Sequence, residues 1–426
     1  MVAKARMAMI LISLLTFPLI AVFASAEVVV DIEEPFKLEV EDLGLEGMAA
    51  GGSDEQKILV VGADGFARIL DGDDPKEQIE LTVPEYASEN TLRAVSWHPR
   101  GNTALIGGDN GTLLRYAQED HSVTTVDAAG QLGGQDVHAV SWNTAGSHAY
   151  IGDEDGWLWA YREGEGGVAI FDLLVEESGS MITGIDCHPE VNLCLVTTVS
   201  DGIAIIDSRT NHTVHWIGQS GKVWRGVSCA DPLEDKCITI SSGLSFGIIG
   251  LNIDEPEKSN VMLKMVADSS GVFTHIHERS SGESLICMTP FEVIAWDHDE
   301  DEAYDWVDYS DAQNMSVTLA GERLIGSWAT VENDNVGFLV TSEGSIVPFH
   351  PSVDENVLLD SIVSYIVAAM VIVAVPGVLF GLIFMNSTRL QSWYYSRRQA
   401  KREAKEEAQK RAAKEAKKKK RDAKKR

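Results

Sequence analysis

The chain runs to 426 residues, 44% hydrophobic and 23% charged, and its 65 acidic and 35 basic side chains leave a formal net charge of −30 at pH 7. That apolar content over that length supports a large buried core and excludes a disordered chain. The charge is split, because residues 27–388 hold 60 acids and 16 bases, a net of −44, whereas residues 389–426 hold 17 bases and 5 acids. Such a carboxylate excess keeps the central region hydrated, suits salty surroundings and argues against nucleic acid as its partner.

At the N-terminus Lys4 and Arg6 precede the apolar run from Met7 to Phe23, and Ala24-Ser25-Ala26 follows with the small side chains of a cleavage site. This pattern predicts a signal peptide over 1–26, since the run is shorter than the ~20 apolar residues of a membrane span. Glu27 to Val40 then carries β-rich pieces but no complete repeat.

The repeat itself is clearest from Arg93 to Tyr116, RAVSWHPRGNTALIGGDNGTLLRY. A short strand ends at Trp97, His98 to Asn102 is rich in strand-breaking residues, and Thr103 to Gly108 reads as a second strand. Asp109-Asn110-Gly111 is a tight turn, because Asn and Gly tolerate positive φ, and Thr112 to Tyr116 is a third strand. The turn position recurs at Gly65, Gly111, Gly156, Gly202, Gly247, Glu292 and Gly344, at spacings of 46, 45, 46, 45, 45 and 52, the last stretched by a long acidic connection. First-strand ends keep the same beat at Trp97, Trp142, Cys187, Cys229 and Trp328, with a weak copy near Glu278.

Seven units of this length, each with three or four short strands, predict an all-β, seven-bladed propeller over residues 27–352. The segments VSWHPRGNTALIGGDNGTLLRY, VSWNTAGSHAYIGDEDGWLWAY and IDCHPEVNLCLVTTVSDGIAII resemble WD40-type repeats, although the Gly-His and Trp-Asp pairs of that family are largely missing. GGDNGTLLRY is also similar to repeats of photosystem-assembly and sialidase-like propellers, and GIAIIDSRTNHTVHW to a quinoprotein-type blade. The last repeat supplies only three strands, so an N-terminal strand, either Phe36 to Val40 or the run at Val28, is expected to complete it and hide two sheet edges.

Of the five cysteines, Cys187 and Cys194 lie on the first and second strands of one blade, and Cys229 and Cys237 lie likewise on the next. Outside the cytoplasm these are expected to form two disulfides, leaving Cys287 as a buried apolar side chain. Trp97, Trp142 and Trp328 sit at equivalent strand ends and read as packing between blades. Trp157, Trp159 and Tyr161 alternate along one strand and are expected on one face, as a candidate aromatic binding patch. Asn110, Asn211 and Asn314 head Asn-X-Ser/Thr sequons and are candidate glycosylation sites.

No nucleophile elbow, phosphate loop, zinc-type Cys or His pair or dinucleotide fingerprint is present, so no catalytic residue, cofactor or metal is assigned. His275 and His277 read as structural histidines. The runs Asp71 to Asp74 and Asp297 to Glu302 offer oxygen ligands for calcium, but neither has the spacing of a calcium loop.

Ser361 to Met385 is charge-free and long enough to cross a bilayer, which predicts a transmembrane helix within 358–386. Trp393, Tyr394 and Tyr395 follow as interfacial aromatics, and the basic tail over 387–426 marks the cytoplasmic side. The expectation is a single-pass protein of the cell membrane, with the N-terminus outside and the C-terminus in the cytoplasm. Alanines at 400, 404, 408, 412 and 416, with pairs such as Glu406 to Lys410, predict a helical tail, and anionic lipid headgroups are its expected contact.

The functional expectation is a membrane-anchored propeller that binds a protein or envelope ligand as scaffold, receptor or assembly factor. A propeller enzyme, hydrolase or quinoprotein-like oxidoreductase, is the alternative, and a sensor signalling through the tail is a third. One consequence is testable at once. Salt shortens the reach of like-charge repulsion from about 10 Å at 0.1 M to about 3 Å at 1 M. The thermal midpoint of the purified chain should therefore rise by several degrees between low and molar NaCl, and a midpoint that stays put would show that the carboxylates do not strain the fold.

Overall fold

The computed structural model describes residues 30–39, 42–52, 55–229, 234–266, 271–278, 283–297, 302–331, 333–352, 384 and 386–423. The chain divides into two units, 1–352 and 353–426. The predicted signal peptide and nearly all of the predicted span fall outside the described residues. Among the described residues no helix is long and apolar enough to cross a membrane.

The first unit is a seven-bladed β-propeller built from seven antiparallel sheets, with neighbours in sequence paired in space. Blade 2 shows the pattern: Leu92–Trp97 is innermost, followed outward by Thr103–Gly108, Thr112–Ala117 and Ser122–Thr125. The other inner strands are Leu45–Gly51, Val137–Trp142, Ile182–Cys187, Trp224–Ser228, Val272–Glu278 and Leu324–Thr330. Second and third strands such as Leu193–Thr198 and Ile203–Asp207 are buried at every position. Covered by a blade on either side, they read as continuous apolar, β-branched runs rather than alternating ones.

The core is not inside the blades but between them. Seven hydrophobic clusters correspond to seven blade interfaces. One joins Tyr150 and Leu158 of blade 3 to Ile182 and Ile206 of blade 4; another joins Leu45 and Ile58 of blade 1 to Ile325 and Val340 of blade 7, which closes the ring. Hydrogen bonds one repeat apart reinforce these layers. Trp97 Nε1 donates to Ala49 O at 2.9 Å, His98 Nε2 to Gly146 O at 2.9 Å, Thr144 Oγ1 to His188 O at 2.8 Å and His188 Nε2 to Glu234 O at 3.0 Å. Trp328 Nε1 spans the closure to Gly72 O at 2.9 Å. The tryptophans at strand ends are thus packing residues, as their equivalence suggested.

Both candidate N-terminal pieces complete blade 7. Val30–Ile32 and Phe36–Lys37 pair antiparallel with Ser345–Pro351, Ile32 opposite Phe349 and Phe36 opposite Ile346. Val40 and Val28 themselves lie outside the described residues. Val30 and Ile32 are buried in the cluster between blades 6 and 7, against Leu339, Phe349 and Trp306.

Two repeat registers differ from expectation. In blade 5 the turn falls before Ser245–Gly250, and Gly247 lies within that strand. A Cβ there would meet Val261 Cγ1 at 3.0 Å and Thr239 Cγ2 at 3.1 Å, so this glycine serves close packing and not a turn. Glu292 likewise opens the strand Glu292–Asp297. The stretched last spacing is mainly a helical insertion, Tyr309–Met315 and Val317–Gly321, capped by the side chains of Asp308 and Ser316. It buries Ala312 and Leu319 under the closing strand.

Both expected disulfides form. Cys187 lies directly opposite Cys194, with Cα atoms 3.9 Å apart, and Cys229 bonds Cys237 with Cα atoms 4.3 Å apart. Cys287 is buried and takes part in neither disulfide, and burial pushes its thiol up to about 12. In the second unit Thr388–Ala423 is one helix of 36 residues, with Trp393, Tyr394 and Tyr395 exposed.

Two measurements check this construction. Alkylation of the denatured, unreduced chain should label Cys287 alone, and labelling after reduction should reach all five cysteines. Removing the closing contact by Ile32→Ala should cost about 2–5 kcal/mol in denaturant unfolding, as for other buried isoleucines.

Candidate functional site

The inner strand of every blade slips register against its second strand near its start, and that of blade 7 slips again between Ala329 and Thr330. The slips fall between Leu45 and Gly47, Leu92 and Ala94, Val137 and Ala139, Ile182 and Gly184, Trp224 and Gly226, Phe273 and His275, and Leu324 and Gly326. Each is a β-bulge that leaves one residue unpaired and redirects its side chain. The seven bulged residues are Glu46, Arg93, His138, Thr183, Arg225, Thr274 and Ile325. All except Thr274 line an axial cavity of about 470 Å³. They form a collar at the end of the channel where the inner strands begin.

After each bulge comes a very small residue: Gly47, Ala94, Ala139, Gly184, Gly226 and Gly326. The reason is convergence. A Cβ on Gly47 would meet Arg93 O at 2.5 Å and one on Gly226 would meet Ile276 Cγ2 at 3.1 Å, so the next inner strand leaves no room. Blade 6 breaks the rule with His275, which borders the cavity.

Charges in the collar are mostly spent. Arg323 Nη2 binds Glu46 Oε2 at 3.0 Å, and Arg93 Nε binds Asp109 Oδ1 at 2.6 Å. Burial is the largest single influence and raises the Asp109 carboxyl, but the hydrogen bond and charge of Arg93 together with the bonds from Thr91 hold the group below its usual range. Deeper in the channel, burial raises Asp186 to about 6 although it accepts hydrogen bonds from the backbone N–H groups of Cys229 at 2.7 Å and Cys187 at 2.9 Å. That first bond ties blade 4 to blade 5. His138 is lowered by burial and then by Arg93, and His275 is lowered to about 4 by burial and then by Arg323. His275 is partly open to the channel, yet almost all of its surroundings are protein. Arg225 differs from the other arginines of the collar region, being exposed and, among the described residues, without a hydrogen-bond or ion-pair partner.

The arrangement offers hydroxyls from Ser96, Ser141, Thr183 and Ser327 and one unengaged guanidinium around an axial opening. That is the equipment of a binding site for a polar, anionic group. Among the described residues no three His, Cys, Asp or Glu side chains converge as a metal site. The Asp71 carboxylate accepts from Asp73 N and Asp74 N and pairs with Lys57 Nζ at 2.8 Å, which makes it part of a turn; residues 298–301 of the other acidic run are outside the described residues. The side chain of His277 is not described.

The aromatic patch is corrected. Tyr161 is buried, its ring against Trp142 at 5.9 Å and Phe171 at 5.3 Å, because its side of the strand faces blade 2, whereas Leu158 and Ala160 on the other side face blade 4. Trp157 and Trp159 stack with centroids 5.9 Å apart and stay half-buried, away from the channel. The sequon residues Asn110, Asn211 and Asn314 are all exposed. The Asn110 amide is engaged, donating to Asn90 Oδ1 at 3.0 Å, and Thr112 of its sequon is fully buried. Sequence reasoning missed the collar. Its signal was the recurring pair of a variable residue followed by Gly or Ala, as in Glu46-Gly47, Arg93-Ala94 and Arg225-Gly226.

No protein-family model and no curated protein matches this chain. Solved structures do match in fold. The β-propeller domain of Cps50 (Swd1) from Myceliophteria thermophila aligns with a TM-score of 0.55 at 10% identity, covering 75% of this chain and 100% of that one. YCF48 bound to D1 peptide aligns with a TM-score of 0.54 at 12% identity, covering 75% of this chain and 97% of that one. The protein is a seven-bladed β-propeller similar in architecture to both.

The lowered pKa of His275 predicts a pH effect. A histidine held near 4 in the fold and near 6.5 when unfolded costs nothing above pH 6.5, and its contribution is lost as pH falls below 6.5 toward 4. Unfolding of His275→Ala in urea should therefore lose about 2–3 kcal/mol less than the parent between pH 7.5 and 4.5. Equal losses would show that the imidazole is solvated.

Proposed function

We propose that this protein is a membrane-anchored binding scaffold whose propeller stands outside the cytoplasm and holds a segment of another protein at the collar end of its channel. The observation that carries the reading is the ring of bulges, which aims the side chains of Glu46, Arg93, His138, Thr183, Arg225 and Ile325 into one axial cavity. The bulge occurs at the same position in all seven inner strands. The structure of YCF48 with a D1 peptide supports the reading, as a propeller of similar architecture that holds a peptide.

The anchoring is supported by the sequence. A signal-type N-terminus, the charge-free run from Ser361 to Met385 and the excess of 17 bases over 5 acids after it all favour one topology. Two disulfides accord with an oxidising compartment. The tail helix is long, basic and without an apolar face of its own, which suits contact with anionic lipid headgroups through charge rather than insertion.

Crosslinking in cells followed by purification of the full-length chain, beside a form lacking 397–426, tests this. One extracytoplasmic protein should be recovered with both forms. Recovery of a partner only when the tail is present would move the function to the cytoplasmic side, and recovery of lipid alone would end the scaffold reading.

A further inference from the structure

Among the described residues, the arginine that the collar turns into the axial cavity, Arg225, makes no ion pair. Between residues 27 and 388 carboxylates outnumber bases 60 to 16, so a base can find a partner almost anywhere. Most described bases do: Lys57 pairs with Asp71, Arg93 with Asp109, Arg209 with Asp207 and Arg323 with Glu46. Arg225 lines the cavity and pairs with none. Its neighbours around the collar, Thr183 of blade 4 and Thr274 of blade 6, are uncharged. Two carboxylates border the same cavity, but Glu46 is held by Arg323 and Asp186 by two backbone N–H groups.

Resting on the scaffold reading, we propose that Arg225 captures the carboxylate of the partner segment, and that this segment is a basic C-terminal tail entering the channel by its free end. Three features select that chemistry. A guanidinium binds carboxylate through parallel, charge-assisted hydrogen bonds. The surrounding field of net −44 repels a segment rich in acids and draws in one rich in Lys and Arg, so the captured carboxylate must sit on an otherwise cationic chain. The cavity is axial, about 470 Å³, and walled by inner strands packed closely at Gly47, Gly184 and Gly226; a chain end enters such a space without having to double back, as a mid-chain Asp or Glu would require. The hydroxyls of Thr183, Ser141 and Ser96 line the path beyond Arg225 and offer hydrogen bonds to the entering backbone.

The test uses the full-length chain in detergent and a random-sequence library of short peptides, each made both as free acid and as C-terminal amide. Free-acid peptides rich in Lys and Arg should be enriched. In fluorescence anisotropy with the best of them, amidation and Arg225→Ala should each weaken binding about 10- to 100-fold, the range for losing a charged hydrogen-bond pair. Arg225→Lys should retain part of the affinity, and Arg100→Ala, an exposed arginine in the turn at the far end of the blade 2 inner strand, should leave it unchanged. An unaltered thermal midpoint for Arg225→Ala shows that the loss is not unfolding.

Equal enrichment of amides with dependence on Arg225 would overturn the C-terminal assignment in favour of an acidic side chain. Binding indifferent to Arg225→Ala, or no enrichment, would overturn the site. Its failure is separable from that of the scaffold reading: a crosslinked partner that still co-purifies with the Arg225→Ala chain leaves the scaffold standing and removes only the anchor.

Discussion

Burial between blades is the constraint on which everything else depends. A blade such as Leu92 to Thr125 is a four-stranded sheet apolar on both faces, and it has no stable existence until both faces are covered. Each buried Ile, Leu or Val at these interfaces contributes about 1.5–3 kcal/mol, and the seven clusters together form one closed circuit. The final interface, blade 7 against blade 1, can form only when the ring is complete. The three-stranded seventh repeat borrows Val30–Ile32 from the far end of the chain, and that strand covers the interface between blades 6 and 7.

Closing seven sheets around an axis forces their inner strands together, and this geometry generates the functional surface. Where the strands converge, the residue facing the next blade must be Gly or Ala. The preceding bulge disposes of one residue by turning it into the channel. The collar is therefore a by-product of packing that evolution is free to decorate where the bulged side chain stays out of the core, as Arg225 does and the buried Ile325 does not. His275 shows the cost of leaving the pattern, as its imidazole is held neutral by protein on nearly every side.

Charge adds a second layer. The propeller region is strongly acidic and most of its described bases are spent on ion pairs, as in Arg115 with Glu163 between blades 2 and 3 or Lys57 with Asp71 inside blade 1. Against that background a single unengaged arginine at the axis carries more meaning than it would on a mixed surface. The basic helix after the apolar segment belongs to a different environment altogether, which the whole-chain charge of −30 conceals.

Much of the architecture was legible in the sequence because it is written locally. Strand–turn–strand spacing determined the number of blades, the pairing of Cys187 with Cys194 and of Cys229 with Cys237, the need for an N-terminal closing strand and the helical tail. The errors were equally physical. Gly247 kept the beat of a turn yet served packing, and Tyr161 shared an alternation with Trp157 and Trp159 yet lay under blade 2. In each case the deciding neighbour was a strand of the same or an adjacent blade that periodicity alone could not place. The same holds for the site. That Arg225 lines the axial cavity, that Arg93 and Glu46 are neutralised, and that Gly226 lies tight against Ile276 were decided only by tertiary structure. A bulge is a mismatch between two strands, and a channel is a relation among seven, so neither exists in any single repeat.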